Sequence, residues 1–244
     1  MARTAVVSGV GPGLGESLAR KFADEGCSVA LFARSGEYVA DLADDLPTDA
    51  VGVETDVSDP EEVTAGFERV REELGPVDVL VNHASGGSWK GLRDLSAEEF
   101  ERAWRVNGYG AFLCSREAVS DMLEGGDDGE ADDSDDRGGT IIFTGATSAV
   151  RGRGGALGFS SAKFAARGMA ESMARELGPE GIHVAHVVID GQILTPSAKE
   201  NNPDRDEETF LDPDEIAENY WHLVEQDRSA WTLELDLRPY VEDF

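Results

Sequence analysis

The chain has 244 residues, 40% of them apolar and 29% charged, which is enough for a substantial buried core. Its 50 Asp and Glu outweigh 21 Lys and Arg, and the formal charge of −29 leaves no basic face for nucleic acid or anionic lipid. Two cysteines, Cys27 and Cys114, and four histidines without ligand spacing argue against a disulfide scaffold or a zinc module, so no metal is expected.

No apolar run reaches membrane-spanning length, and the residues from Met1 to Gly15 lack a signal-peptide layout. A cytoplasmic, reduced protein is the expectation, with neither nucleic acid nor membrane as partner. Only four of the basic residues are lysines: Lys21, Lys90, Lys163 and Lys199. Acid-rich, lysine-poor surfaces resemble those of proteins from salt-loving organisms, where molar salt screens self-repulsion. The chain is therefore expected to be halophilic.

Short β-rich runs alternate with helical spacing. Thr4–Gly9 reads as a strand, Leu14–Asp24 as a helix, Ser28–Ala33 as a strand and Gly36–Leu46 as a helix. Val51–Glu54 is a strand, Pro60–Leu74 a helix opened by proline, and Val77–Asn82 a fourth strand. Ser96 with Glu99 forms a capping-box pattern, and Asn107–Leu123 reads as helical. Thr140–Thr144, Ile182–Ile189 and Ala230–Leu237 complete the strands; Ala156–Leu177 and Pro213–Gln226 complete the helices. This alternation predicts βαβ units and an α/β doubly wound fold: a seven-stranded parallel sheet with helices on both faces. It fills residues 1–244 as one domain. The stretch Glu124–Gly139 holds eight acids and five glycines and is expected to be a disordered, solvated loop.

The first strand runs into Ser8-Gly9-Val10-Gly11-Pro12-Gly13-Leu14-Gly15. A glycine-rich turn between strand and helix lets the backbone approach a pyrophosphate at a helix N-terminus. The spacing Gly9-x-x-x-Gly13-x-Gly15 resembles the TGxxxGxG signature of the short-chain dehydrogenase/reductases, with Ser8 for the usual Thr. Further matches follow in order. They are Asp56-Val57 at the adenine position, Asn82-His83-Ala84-Ser85 for NNAG, Asn107 for the helix Asn, and Phe159-Ser160-Ser161-Ala162-Lys163 for YxASK. Asp190-Gly191-Gln192-Ile193-Leu194-Thr195 matches PGxIxT. The resemblance covers essentially the whole chain. It implies a Rossmann-type fold and nicotinamide cofactor binding through Ser8, Gly9, Gly11, Gly13, Leu14, Gly15, Asp56, Val57, Asn82, Ala84, Lys163, Gly191, Ile193 and Thr195. It also implies a homodimer or homotetramer.

At the end of the second strand, Ala33 stands where an NAD-type Asp would, and Arg34 and Ser35 follow. A cation there pairs with a 2′-phosphate, so NADP(H) is expected over NAD(H). The family's catalytic set is incomplete. Asn107 and Lys163 are present, but Phe159 stands at the Tyr position and Ala146 at the Ser position, with Thr147 and Ser148 beside it. Ser148 is taken as a candidate replacement; Tyr109, His83 and Ser160 are weaker ones. This departure resembles atypical branches of the family. Two readings stay open: NADPH-linked hydride transfer to a carbonyl or activated C=C substrate, or a non-catalytic NADP(H)-binding sensing or interaction module. Gly86–Gly91 and Ser197–Leu211 are expected to rim the substrate entrance. Arg151 and Arg153 either meet an anionic substrate or balance local acids.

Overall fold

The computed structural model describes residues 2–124 and 138–242. Most of the acidic stretch expected to be a disordered loop therefore lies outside the described residues. In chain order the strands are β1 (Thr4–Ser8), β2 (Ser28–Ala33), β3 (Ala50–Glu54), β4 (Val79–Asn82), β5 (Gly139–Thr144), β6 (Ile182–Ile189) and β7 (Glu234–Leu237). The helices are α1 (Leu14–Asp24), α2 (Gly36–Asp44), α3 (Pro60–Glu73), α4 (Ala97–Trp104), α5 (Gly110–Glu124), α6 (Thr147–Val150), α7 (Leu157–Leu177), α8 (Pro196–Asn201) and α9 (Pro213–Val224). The strands form one sheet in the order β3-β2-β1-β4-β5-β6-β7, every pair parallel.

Burial explains why the central runs are mostly apolar on both faces. β1, β4 and β6 are buried at every position, as a parallel sheet covered on both faces requires. Alternate residues serve opposite layers: Ala5 and Val7 pack with α1, α2 and α9, while Val6 packs with α3, α5 and α7. On the second face Phe32 meets Phe67 edge-on at 5.4 Å, a favoured aromatic geometry. Between β1 and β4 the strand order reverses, which opens a crevice beyond their C-terminal ends.

Differences from the sequence reading have local causes. The fourth strand starts at Val79, because the Val77 amide donates to the Asp121 carboxylate at 3.1 Å instead of to a ladder. The helix expected from Asn107 is continuous with α4 through a π-helical turn, Arg105–Tyr109, and its regular part begins at Gly110. Gly110 lies so close to Val57 that a β-carbon would come within 2.8 Å of it. The last strand starts at Glu234. Before it, the Thr232 amide bonds to Gln226, and Trp231 stacks on His183 at 5.0 Å. The expected rim 197–211 carries α8 and a single 3-10 turn, Glu207–Thr209. β3 and β7 are the edges of the sheet, and the outer strand β7 carries Glu234 and Asp236, with Pro239 two residues past its end.

Candidate functional site

The turn between β1 and α1 requires its glycines sterically. Gly9 has φ +98°, and a β-carbon there would lie 2.4 Å from the Ala84 Cα; its amide and that of Val10 both donate to the Phe32 carbonyl. Gly13 has φ +118°, and a β-carbon would lie 2.6 Å from Thr195 Cγ2. Both conformations favour glycine. Gly11, in contrast, faces open space. No side chain caps α1, so its first-turn amides lack a side-chain acceptor. Leu14 and Gly15 are buried beneath the turn, and the Ser8 hydroxyl donates to the Val81 carbonyl at 3.2 Å.

This turn forms one wall of a cleft of about 950 Å3 at the β1–β4 crevice. Arg34, Ser35 and Tyr38 lie along the β2 end, Asp56 and Val57 on the far side, and Ala84 to Ser88 on the β4 side. The Asp56 carboxyl accepts from the hydroxyl and amide of Ser58. These bonds, with Arg34 and Arg102 nearby, hold it below the usual carboxylate range. Asn82, buried, donates to Ser115 Oγ at 2.9 Å while its Oδ1 has no protein partner. A cleft of this size with a glycine turn and a helix N-terminus in its wall fits a dinucleotide, while the orphaned Asn82 oxygen belongs to a small neighbouring cavity that shares Ala84 and Val106 with it.

The second group sits deeper. Asn107 lies in the π-helical turn, where its side-chain amide donates to the carbonyls of Gly86 (2.6 Å) and Ala103 (2.8 Å) and its Oδ1 accepts from Ser85 (3.0 Å). A π-turn displaces one residue from the regular ladder, and Asn107 fills the local gap. Lys163 is buried on α7; its Nζ donates to the Thr144 carbonyl at 2.8 Å and stands 5.7 Å from the Phe159 ring centre. Burial pulls the Lys163 ammonium down to about 8. Asn107, Thr144, Lys163 and Asn82 line a cavity of about 10 Å3, near the lower size for one water.

Phe159 carries no hydroxyl and packs against Trp89 in a tilted arrangement, 5.4 Å between ring centres with the planes inclined by 41°. Ala146 precedes α6. Ser148 is buried and lines none of the cavities described, whereas Thr147 lines a second cavity and donates to Asp190 Oδ1 at 2.6 Å. Asp190, also buried, faces Arg238 at 3.4 Å and Arg151 at 4.0 Å. Tyr109 is stacked between Trp104 and Phe112, away from the cleft. His83 bonds to Thr144 Oγ1, which in turn bonds to the Tyr220 hydroxyl. Desolvation, with Lys163 adding to it, lowers the His83 imidazole to about 4, so it is neutral at pH 7. Ser160 accepts from the Arg153 amide. Of the last motif, Gly191 lines the second cavity, Ile193 bridges to Leu211, and Thr195 caps α8 while its methyl meets Gly13.

The second cavity, about 620 Å3, is walled by Trp89, Thr147, Arg151, Arg153, Gly191, Gln192, Arg205 and Glu242 among others. It lies where the loops after β4, β5 and β6 converge.

Residues 3–206 match the short chain dehydrogenase family. The chain belongs to the short-chain dehydrogenase/reductase family. It is 35% identical over 202 residues to a short-chain dehydrogenase/reductase of Armillaria gallica, spanning 80% of this chain and 72% of the relative. Among solved structures it is similar to an alcohol dehydrogenase from Thermococcus sibiricus complexed with 5-hydroxy-NADP, with TM-score 0.81, 27% identity and coverage of 100% and 99%. It is also similar to a 3-ketoacyl-(acyl-carrier-protein) reductase from Brucella melitensis complexed with NADH, with TM-score 0.82, 26% identity and coverage of 98% and 97%. Membership makes this short-chain dehydrogenase/reductase an NAD(P)-dependent oxidoreductase by family; the relatives do not agree on a substrate or on one nucleotide. Among the described residues no helix is long and apolar enough to cross a membrane, and no cluster of His, Cys, Asp and Glu is grouped to hold a metal.

Sequence reasoning missed three features of this short-chain dehydrogenase/reductase: the Thr147–Asp190 bond, the Trp89–Phe159 stack and Arg102 beside Asp56. Asp190 in place of the family's proline was the one visible signal.

Proposed function

We propose that this protein is an NADPH-linked reductase of a carbonyl or activated C=C compound, belonging to a branch of the family without the usual Ser and Tyr. The observation that carries this reading is Lys163: buried, held on the Thr144 carbonyl, next to Asn107 and below the open glycine turn. A surface lysine would not be desolvated in this way. The residues suited to hold the nucleotide are Gly9, Gly11 and Gly13 at its pyrophosphate, Asp56 and Val57 at its adenine, and Lys163 at its nicotinamide ribose. Thr195 braces the glycine turn. Arg34 and Ser35 stand at the β2 end, where a 2′-phosphate would lie, with Ala33 in place of an NAD-type carboxylate, and support NADP(H). When bound, the reduced nicotinamide supplies a hydride.

The proton must come from this chain or from solvent. Phe159 has none to give, Thr147 already donates to Asp190, and the Tyr220 hydroxyl is buried and pushed far up. Lys163, lowered to about 8, is the acid whose range fits neutral pH, and we assign it that role. Asn107 fixes the wall beside it, and the Phe159 ring stands 5.7 Å from the Lys163 Nζ with the exposed Trp89 against it. An activated C=C bond suits such a site, since it asks for less proton donation at the moment of hydride transfer.

The loss of the Tyr favours one other reading, a protein that binds NADP(H) without turnover. Titration with NADPH and NADH in molar KCl, read by nicotinamide fluorescence, followed by a screen of enones, enoyl thioesters and ketones, separates them. NADPH binding with turnover of any of these supports the reductase. NADPH binding without turnover supports the binding module, and failure of folded protein to bind either nucleotide overturns both.

A further inference from the structure

We infer that the second cavity binds an anionic group, a carboxylate or phosphoryl carried by the substrate. This names the substrate class within the reductase reading and rests on it for the chemistry, but not for the anion site itself.

In a chain this acidic, cations are mostly committed to carboxylates. Lys21 pairs with Glu25 and Glu218, Lys90 with Glu99, and Arg71 with Glu117 and Asp121. Arg153 and Arg205 differ. Among the described residues neither has a carboxylate oxygen within 4.0 Å, and both face the second cavity. Arg205 is held by neutral partners only: Thr209 Oγ1 at 2.8 Å, the Thr209 carbonyl at 2.6 Å and Gln192 Oε1 at 3.1 Å, with its guanidinium 4.2 Å from the Phe210 ring centre. Its position is fixed in advance while its charge stays unneutralised, which is the arrangement that favours an incoming anion. Arg153 lies over Trp89 at 5.8 Å. The third guanidinium, Arg151, is 4.0 Å from Asp190, but that carboxylate is already bonded to Thr147 and faces Arg238. Glu242 is the one carboxylate in the cavity wall against three guanidinia. A local positive potential inside a strongly negative molecule draws and retains anions and repels neutral competitors only by lack of fit.

The cavity also connects to the proposed chemistry. Arg153, Trp89, Phe159 and Lys163 are successive neighbours, with steps of 5.8, 5.4 and 5.7 Å from cation to ring, ring to ring and ring to cation. An anion at the Arg153 end lies across an aromatic pair from the buried lysine. Phe159 thus serves as part of the wall between the recognition group and the reacting group.

The test is calorimetric titration of the full-length protein, with and without saturating NADPH, at one fixed KCl concentration. The probes are glutarate, glycerol 2-phosphate and neutral glutaramide. Glutarate or glycerol 2-phosphate should bind and glutaramide should not, and the tighter of the two anions identifies the carboxylate or phosphoryl source. Arg153→Gln and Arg205→Gln should each weaken the anion by about tenfold or more, as loss of a charge-assisted bond does. Arg116→Gln, an exposed arginine over Phe112, should leave binding unchanged. Equal binding of glutarate and glutaramide, no binding of either anion to folded protein, or unchanged anion affinity in both cavity variants overturns the inference. These results are independent of nicotinamide binding: anion affinity without NADPH turnover keeps the site and removes the reductase, and turnover of neutral substrates with no anion affinity does the reverse.

Discussion

Replacing Arg34 with Ala removes the cation at the β2 end of the cleft and nothing that NADH needs. NADPH should weaken by about tenfold or more while NADH changes little, read by nicotinamide fluorescence. Equal losses for both would place Arg34 against the adenine instead. At Lys163 the sign of the pH dependence follows from the proton it must give. The acid form is required, and burial has lowered its range to about 8, so kcat/KM should be flat below pH 7 and fall as pH rises through about 8. Lys163→Met should lower kcat/KM by about a hundredfold or more, and the residual rate should show no such fall. A profile that instead rises through this range would make the lysine a base, not an acid. Phe159→Tyr with Ala146→Ser restores the two missing hydroxyls; ketone reduction should rise by about a hundredfold, the usual yield of a placed general acid. An unchanged rate would mean that the Trp89 stack holds ring 159 off the reacting centre.

At the scale of elements, α4 begins with both halves of its capping box in place: the Glu99 amide donates to Ser96 Oγ, and the Ser96 amide to the Glu99 carboxylate. Ser96→Ala should cost about 1 kcal/mol in denaturant unfolding without altering nucleotide binding. The opposite pattern is expected for Gly13→Ala, where the β-carbon meets Thr195 on a left-handed backbone and NADPH affinity should collapse with it. The seven parallel strands and the glycine turn were legible because their signals are local: apolar strand runs alternating with helical spacing, and a strand-turn-helix boundary. The functional pairs that were not legible are long-range. Thr147 and Asp190 are 43 residues apart, and Thr144 and Tyr220 are 76 apart. Periodicity says which face a residue takes, not which distant side chain it meets. The π-helical turn escaped for a related reason: its single extra residue is defined by where Asn107 finds its carbonyls, and spacing carries no trace of that.

For the whole molecule, a charge of −29 spread over the sequence predicts stability that climbs with KCl. Thermal unfolding from millimolar to molar KCl should shift upward throughout, and indifference to salt would remove the halophilic reading. We also propose a homodimer or homotetramer, on faces of α5 and α7 that leave Phe112 and Phe164 exposed. Sedimentation should give a multiple of 26.1 kDa, and Phe112→Glu with Phe164→Glu a smaller species. The outer edge strand β7 carries guards of two kinds. An open edge invites a second sheet to zip onto it, and acids such as Glu234 and Asp236 are a common deterrent. Salt muffles that deterrent, because its ions screen the repulsion between like-charged edges. What remains is not electrical: the strand is only four residues long, and Pro239 just past it has no amide to offer. The edge is thus closed to fibril-like stacking by its length and its proline, two guards that work equally well in fresh water and in saturated salt.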